Sequence, residues 1–550
     1  MSASSKKKLR NEQNAAKMTE RQLQEQKEAK KLKLLTISFT AVLALILVVA
    51  ITFAGIQFVA NSGIREKNAV ALTVGDTKLT NAQLNYFFVD AAFEYANTYG
   101  MYASLFGLDL TQPLDQQVIN TEDGSTWADE FTAAAISNAQ ATYALCAEAK
   151  ANGFTLSQES QAEIDNAIST FELYATLYGY SSVDEYVQAY YGRGASVKGF
   201  REYSENNALA QEYYNNYANS LTYDEAALRA GEEGKELEFN NYTYNYYYLA
   251  ASKFLTGGTT DAEGNTTYSA EEKAASVAAA EAAAKALAEA GYTSIEEFDA
   301  AIAALEINAE LETAPKSSNS TDVAYSGLLA VAKDWITDAS RKAGDMDYVE
   351  YSTTSTNEDG TEEKTINGYY VLYFTECNDN KFPLINVRHI LVAPEGGTYD
   401  SSTGNTTYTA EEIAAARVEA EALLKQWQDG KATEDTFASL ATELTDDPGS
   451  QETGGLYENV YPGQMVTTFN DWCFDSARQV GDTGIVETDY GCHVMYFSGY
   501  SDTSYRDFMI ENTLMSADTE AWFNALVEAC AVTEGNTKYL SRNMVLSTSN

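Results

Sequence analysis

Histidine is almost missing from this chain: 550 residues hold two, His389 and His493. Cysteine is scarce as well. The five present (Cys146, Cys377, Cys473, Cys492 and Cys530) are odd in number and follow no recognisable framework, so disulfides are not what holds the protein together. Cations are outnumbered, 36 Lys and Arg against 80 Asp and Glu, for a formal net charge of −44. That balance argues against nucleic acid as a partner, because phosphates are bound by Lys and Arg. It would also repel anionic lipid, and it either steers basic chains inward over long range or serves solubility alone.

What is present begins with length. At roughly 100 to 200 residues per domain, 550 residues make three or so domains, each able to bury a core of its own. Residues 1–33 carry ten Lys or Arg against four Glu, and Leu34 to Ala60 is an uncharged, mostly apolar run of 27 residues. About 20 such residues span a bilayer as a helix, whereas the apolar core of a cleaved signal peptide runs to only about 7 to 15. We read residues 34–60 as an uncleaved single-pass transmembrane helix. The basic flank predicts a cytoplasmic N-terminus, with residues 1–33 either a topology signal alone or also a partner helix or lipid-surface patch, and places the bulk of the chain outside the cell membrane. With the first Cys at position 146, a lipoprotein anchor at this run is excluded.

The chain then says one thing twice. GNTTYSAEE at 264–272 returns as GNTTYTAEE at 404–412. Upstream, NYYYLAA (245–251) stands where VRHILVA (387–393) does, and this alignment sets Tyr247 opposite His389. Each apolar run reads as a strand before Gly-rich loop letters. Alanine-rich amphipathic helices follow, then second helices SIEEFDAAIAAL and TEDTFASLATEL. DWITDASRKAGD (334–345) matches DWCFDSARQVGD (471–482), and both copies close on a strand, NGYYVLYF or YGCHVMYF, that sets Tyr370 opposite His493. The shared order predicts two copies of one α+β domain, 239–377 and 383–500. Extra residues near Asn357 to Glu363 in the first copy read as a hairpin turn at Asp359-Gly360. They are not a calcium loop, since Ile366 would fall where a bidentate Glu is needed.

Both histidines belong to the second copy, central in its first and last strands, where adjacent strands of one sheet could bring them together. A thiol centre at Cys492 beside His493 is excluded by the alternation of strand side chains, and two His with Asp or Cys lack the tight spacing of a zinc site. Here the residues resemble a family. VRHILVAP, TDDPGSQETGG, PGQMVTTF and TDYGCHVMYF, in that order, are similar to the parvulin-type peptidyl-prolyl cis/trans isomerases. The resemblance covers about 115 residues. It implies a four-stranded sheet wrapped by helices, with His389, His493, Asp447 and Thr488 catalytic. It further implies Met465, Phe469, Phe474 and Leu456 as the walls of a proline pocket, although Gly454-Gly455-Leu456-Tyr457-Glu458 departs from the usual motif at Leu456. No cofactor or metal is implied. The acidic loop after the first strand, without Lys or Arg, predicts no selectivity for a phosphorylated residue before proline. In the first copy Met465, Phe469 and Phe474 become Leu328, Ala332 and Thr337, and this copy is expected to keep the fold without the chemistry.

Residues 61–238 open on a strand pair around AVALTVGDTKLT, with Thr80 or Asn81 as a helix cap, and continue as Tyr-rich and Ala-rich helices. The stretch 179–203 and the domain order resemble the helical chaperone region of extracytoplasmic foldases of the PrsA and SurA kind. Residues 501–550 hold a helix with Trp522, Phe523, Leu526, Val527 and Cys530 on one face, expected to return and complete that chaperone-like domain. The whole is expected to be an α+β multi-domain, membrane-anchored isomerase and chaperone. Its partners are unfolded exported polypeptides with X-Pro bonds, and a homodimer is compatible with it. The rival reading is a non-catalytic holdase or scaffold.

Overall fold

The computed structural model describes Lys6 and residues 62–356, 360–400 and 405–546. The expected basic segment 1–33, apart from Lys6, and the expected membrane span 34–60 lie outside the described residues. Among those described, no helix is long and apolar enough to cross a membrane. The chain divides into two units, one of residues up to Leu221 together with Ala517 onward, the other Thr222–Ser516.

The first unit starts with strands β1 (Val70–Val74) and β2 (Thr77–Thr80), and Val532–Glu534 near the C-terminus adds a third antiparallel strand on the free edge of β1. Thr80 caps helix α1 (Asn81–Tyr99) through a reciprocal exchange with Gln83, which satisfies two otherwise unpaired amides of the first turn. Helices α2 (Trp127–Ala151), α3 (Gln158–Leu177), α4 (Val183–Tyr191) and α5 (Val197–Ser220) complete the unit. Leu72, Leu79, Leu84, Phe88 and Ala135 are fully buried between sheet and helices. The C-terminal helix Tyr505–Ala529 enters this unit from Ala517 on. Its Trp522 stacks on Tyr217 with ring centroids 3.8 Å apart, and Phe523 and Leu526 pack on the cluster of Leu145, Leu209 and Tyr213. The tyrosines divide between two roles, with Tyr86, Tyr191 and Tyr213 in the core and Tyr102, Tyr174, Tyr178 and Tyr190 exposed.

The second unit holds two four-stranded antiparallel sheets. The first consists of β3 (Asn241–Ala250), β4 (Ser318–Ala324), β5 (Met346–Thr356) and β6 (Glu362–Asn378), in the order β4-β3-β6-β5. The second consists of β7 (Pro383–Val392), β8 (Leu456–Val460), β9 (Thr483–Thr488) and β10 (Gly491–Ser504), in the order β8-β7-β10-β9. Each sheet therefore pairs its first and last strands at the centre and its second and third at the edges. Apart from the β5 side of the hairpin, the edge strands are not legible in the sequence: Ser318–Ala324 is polar and mostly exposed, with no apolar alternation to betray it. Helices α6 (Ala270–Ala288) and α7 (Ile295–Ala303) cover one face of the first sheet, as α9 (Ala410–Asp429) and α10 (Glu434–Leu444) do in the second. Short helices α8 (Lys333–Ile336) and α11 (Thr467–Cys473) cover the opposite faces.

The repeated letters make repeated contacts. Glu272 closes a capping box with Ser269 and also accepts the Gly258 amide at 2.8 Å; Glu412 does the same with Thr409 and the Gly397 amide at 3.1 Å. Arg341 lies over Trp335 at 4.2 Å and Arg478 over Trp472 at 4.0 Å, and each guanidinium donates to its tryptophan's carbonyl at 3.0 Å. Strands β5 and β6 pair antiparallel as a hairpin, while residues 357–359 of its turn lie outside the described residues.

Candidate active site

Strands β7 and β10 run antiparallel at the centre of their sheet, with Leu391 opposite His493 and His389 opposite Met495. The two histidines are thus diagonal neighbours on one face, shared with Ile385, Val387 and Phe497. Cys492 projects to the other face, fully buried among Ile390, Val392 and Trp427, and burial pushes its thiol pKa up. That position removes it from any chemistry with its histidine neighbour.

A directed chain of hydrogen bonds runs through the pair. His389 Nε2 lies 2.9 Å from Asp447 Oδ2, His389 Nδ1 lies 3.0 Å from His493 Nδ1, and His493 Nε2 lies 2.9 Å from Thr488 Oγ1. A carboxylate only accepts, so His389 donates from Nε2 and its Nδ1 is left as an acceptor. His493 then donates from Nδ1, and its Nε2 accepts from the Thr488 hydroxyl. Both rings are neutral in this arrangement. Electrostatics agree: burial lowers the pKa of His389 despite the nearby Asp447 charge, and burial together with His389 brings His493 down to about 4. Burial works against the Asp447 charge, but hydrogen bonds from Ser450, Tyr457 and the Gly449 amide hold the carboxyl at about 2.

Ser450 and Tyr457 were missed in the sequence. The Ser450 hydroxyl donates to Asp447 Oδ2 at 2.5 Å, and Tyr457 donates to the same oxygen at 2.8 Å while stacking on His389 with centroids 4.9 Å apart. Leu456 is corrected by the same strand. It pairs with Arg388, so it stands on the helix-covered face, and its neighbour Tyr457, paired with Val387, takes the place beside the histidines. The loop carrying Asp447 is stitched to the end of β7 by Leu391 and Ala393, whose amides bond Thr445 and Asp446. Gly455 is required where it is: φ is +74°, and a Cβ would fall 2.1 Å from the His389 carbonyl.

The apolar wall is assembled on α11. Phe469, 3% exposed, meets both imidazoles edge-on at 5.6 and 5.3 Å, and Met465 and Phe474 are partly buried in the same cluster. The structure thus brings together His389, His493, Asp447, Thr488, Met465, Phe469 and Phe474, and leaves out Leu456.

The first sheet shows what stands at the same positions. Gly368 presses against Leu249 and Ala250 as Gly491 does against Val392 and Ala393, which fixes the equivalence of the two central strand pairs. In that register His389 corresponds to Tyr246, one residue away from the expected Tyr247, which lies on the helix-covered face and bonds Asn308. His493 corresponds to Tyr370, as expected, and Thr488 to Tyr351. The Tyr246 and Tyr370 rings lie 5.8 Å apart and pack against Leu328 and Ala332, which occupy the places of Met465 and Phe469. Two large rings thus fill the space released by Phe to Ala.

Residues 370–498 match the family model described as PPIC-type PPIASE domain. No curated protein matches the chain. Among solved structures, the peptidylprolyl isomerase PrsA from Bacillus cereus aligns at 23% identity over 27% of this chain and 49% of that one, with a TM-score of 0.17. A structure from Campylobacter jejuni, described under the two SurA-like chaperones PEB4 and Cj1289, aligns at 24% identity over 26% of this chain and 52% of its own, with a TM-score of 0.16. The chain spans about half the length of these solved proteins.

Proposed function

We propose that the PPIC-type domain of this chain catalyses cis/trans isomerisation of X-Pro bonds in unfolded exported polypeptides. The hydrogen-bonded line Asp447, His389, His493, Thr488 beside the Phe469 wall is the observation that carries the reading. Unaided, the X-Pro bond interconverts in tens of seconds or longer, because twisting it breaks amide resonance. Catalysis needs no nucleophile or metal. It needs a proline ring held in an apolar pocket and groups that favour the twisted amide over the planar one. Met465, Phe469 and Phe474 supply the apolar wall. The neutral imidazole pair supplies an oriented, water-poor dipole array whose direction Asp447 sets from one end, an arrangement that does not have to reorganise as the amide twists.

Residues 239–377 are read as a degenerate copy of the same parvulin domain, with tyrosines in the place of both histidines. The helical first unit is read as a chaperone module. The chain is anchored by residues 34–60 in the cell membrane with its bulk outside. The exposed aromatic residues of the helical unit favour the rival reading, a holdase in which isomerisation is incidental. Refolding of two clients with the full chain separates the readings, one client limited by an X-Pro bond and one not. On the isomerase reading, His493→Ala slows the first client and leaves the second unchanged. Equal assistance to both clients by wild type and variant would leave the holdase reading alone.

A further inference from the structure

A second apolar surface lies in the first unit, and the isomerase reading does not use it. A groove of about 650 Å³ opens between α1, α2 and the segment that joins them. Its floor is a run of rings: Tyr95 lies 5.0 Å from Trp127, Trp127 lies 5.6 Å from Phe131, and Tyr99 lies 4.9 Å from Phe106. Its rim is apolar yet open to water, with Phe106 and Val118 each 56% exposed. Exposed apolar patches of this kind mark interaction sites more often than isolated surface residues do. The wall is built in advance. The Trp127 indole donates to the Gly107 carbonyl at 3.1 Å, the Gln117 side chain accepts from the Asp109 amide at 2.8 Å, and the Ile119 amide donates to Ser125 at 2.9 Å. A preformed groove spares a ligand the cost of ordering it.

Length and charge identify the occupant. A smaller polar cavity of about 260 Å³, lined by Asp90, Thr142, Tyr203 and Asn207, adjoins the groove and shares Ala91, Glu94 and Asn138 with it. Together they follow α1 from Phe87 to Tyr99, roughly 18 Å at ~1.5 Å per residue, the reach of about five residues of extended chain. Exposed carboxylates stand in the groove, Glu94 and Glu130, while Asp90 in the adjoining cavity already accepts the Tyr203 hydroxyl at 2.7 Å, and no Lys or Arg among the described residues lines either. The rings would take aromatic or aliphatic side chains, and the carboxylates would take the cations between them.

We propose that this groove binds an extended segment of a client polypeptide in which Lys or Arg alternates with aromatic residues, independently of proline. The assignment rests on unfolded polypeptides being the clients, and the probe is chosen to separate it from isomerisation. Binding of a proline-free peptide of alternating Phe and Lys to the full chain in detergent is compared with that of its Phe and Glu counterpart. The Lys peptide should bind at least about tenfold more tightly, and lose about that factor when salt rises from roughly 50 to roughly 500 mM. Glu94→Gln with Glu130→Gln should remove the preference for Lys over Glu. Phe106→Ser should weaken both peptides. Equal binding of the two peptides by the wild type, or unchanged preference in the double variant, overturns the proposal. Binding that appears only after residues 1–33 are removed assigns the groove to that basic segment and overturns the client assignment. Turnover of an X-Pro peptide is read in parallel: its absence would sink the isomerase reading while the peptide-binding result stands.

Discussion

His389 and His493 are 2% and 6% exposed, and that burial decides their chemistry. A charged imidazole next to another would break the donor and acceptor order that links Asp447 to Thr488, so protonation of either ring disrupts the line. With His493 held near 4 and His389 also below its ordinary value, both are neutral throughout the physiological range. Turnover per enzyme should therefore show no fall centred on the ordinary histidine value as the pH drops from about 8, and should fall as the pH approaches 4, where His493 takes up its proton. A fall centred near 6.5, the ordinary histidine value, would contradict neutral rings. Stability has the same sign. Between the unfolded value near 6.5 and the lowered folded values, the unfolded chain binds more protons, so the contribution of these residues is complete above about 6.5 and lost as pH falls toward 4. The rarity of histidine made both residues legible in the sequence. Ser450 and Tyr457 were not, because hydroxyls are common and only the fold aims these two at one carboxylate oxygen.

At the scale of elements, most of the domain was legible: two strand runs, two amphipathic helices and the DW motif recur in order, and each recurs in the structure. Register was the weak point. A turn at Ala251–Phe254 lies between β3 and the Gly pair of the first copy, with no counterpart after β7, so counting back from GNTTY does not fix the strand. Aligning letters set Tyr247 against His389, and a slip of one residue moves a side chain to the other face of a sheet. The backbone contact of Gly368 with Leu249, mirrored by Gly491 with Val392, restores the register and gives Tyr246. The same alternation removed Leu456 from the pocket and put Tyr457 beside the histidines. Close backbone approach also sets a prediction. Gly455→Ala adds a Cβ 2.1 Å from the His389 carbonyl at positive φ. It should lower stability in urea by about 2 kcal/mol or more, with loss of turnover. A variant as stable and active as the wild type would show that β7 does not need this contact.

For the whole molecule, the proposed function amounts to one chemistry on a scaffold that occurs twice. The two sheets share strand order, helix placement, loop closure by a glutamate and a Trp-Arg pair, and they differ where the amide would sit. Three tyrosines replace His, His and Thr, and Ala332 replaces Phe469, so the first copy offers neither the imidazole line nor the open wall. The most direct measurement is catalysed cis/trans exchange of an X-Pro peptide by the full chain carrying His389→Ala with His493→Ala, the first copy left intact. Exchange should fall to the uncatalysed rate, while retention of more than about a tenth of wild-type turnover, less than 1.4 kcal/mol of barrier, would contradict the assignment of all catalysis to the second copy.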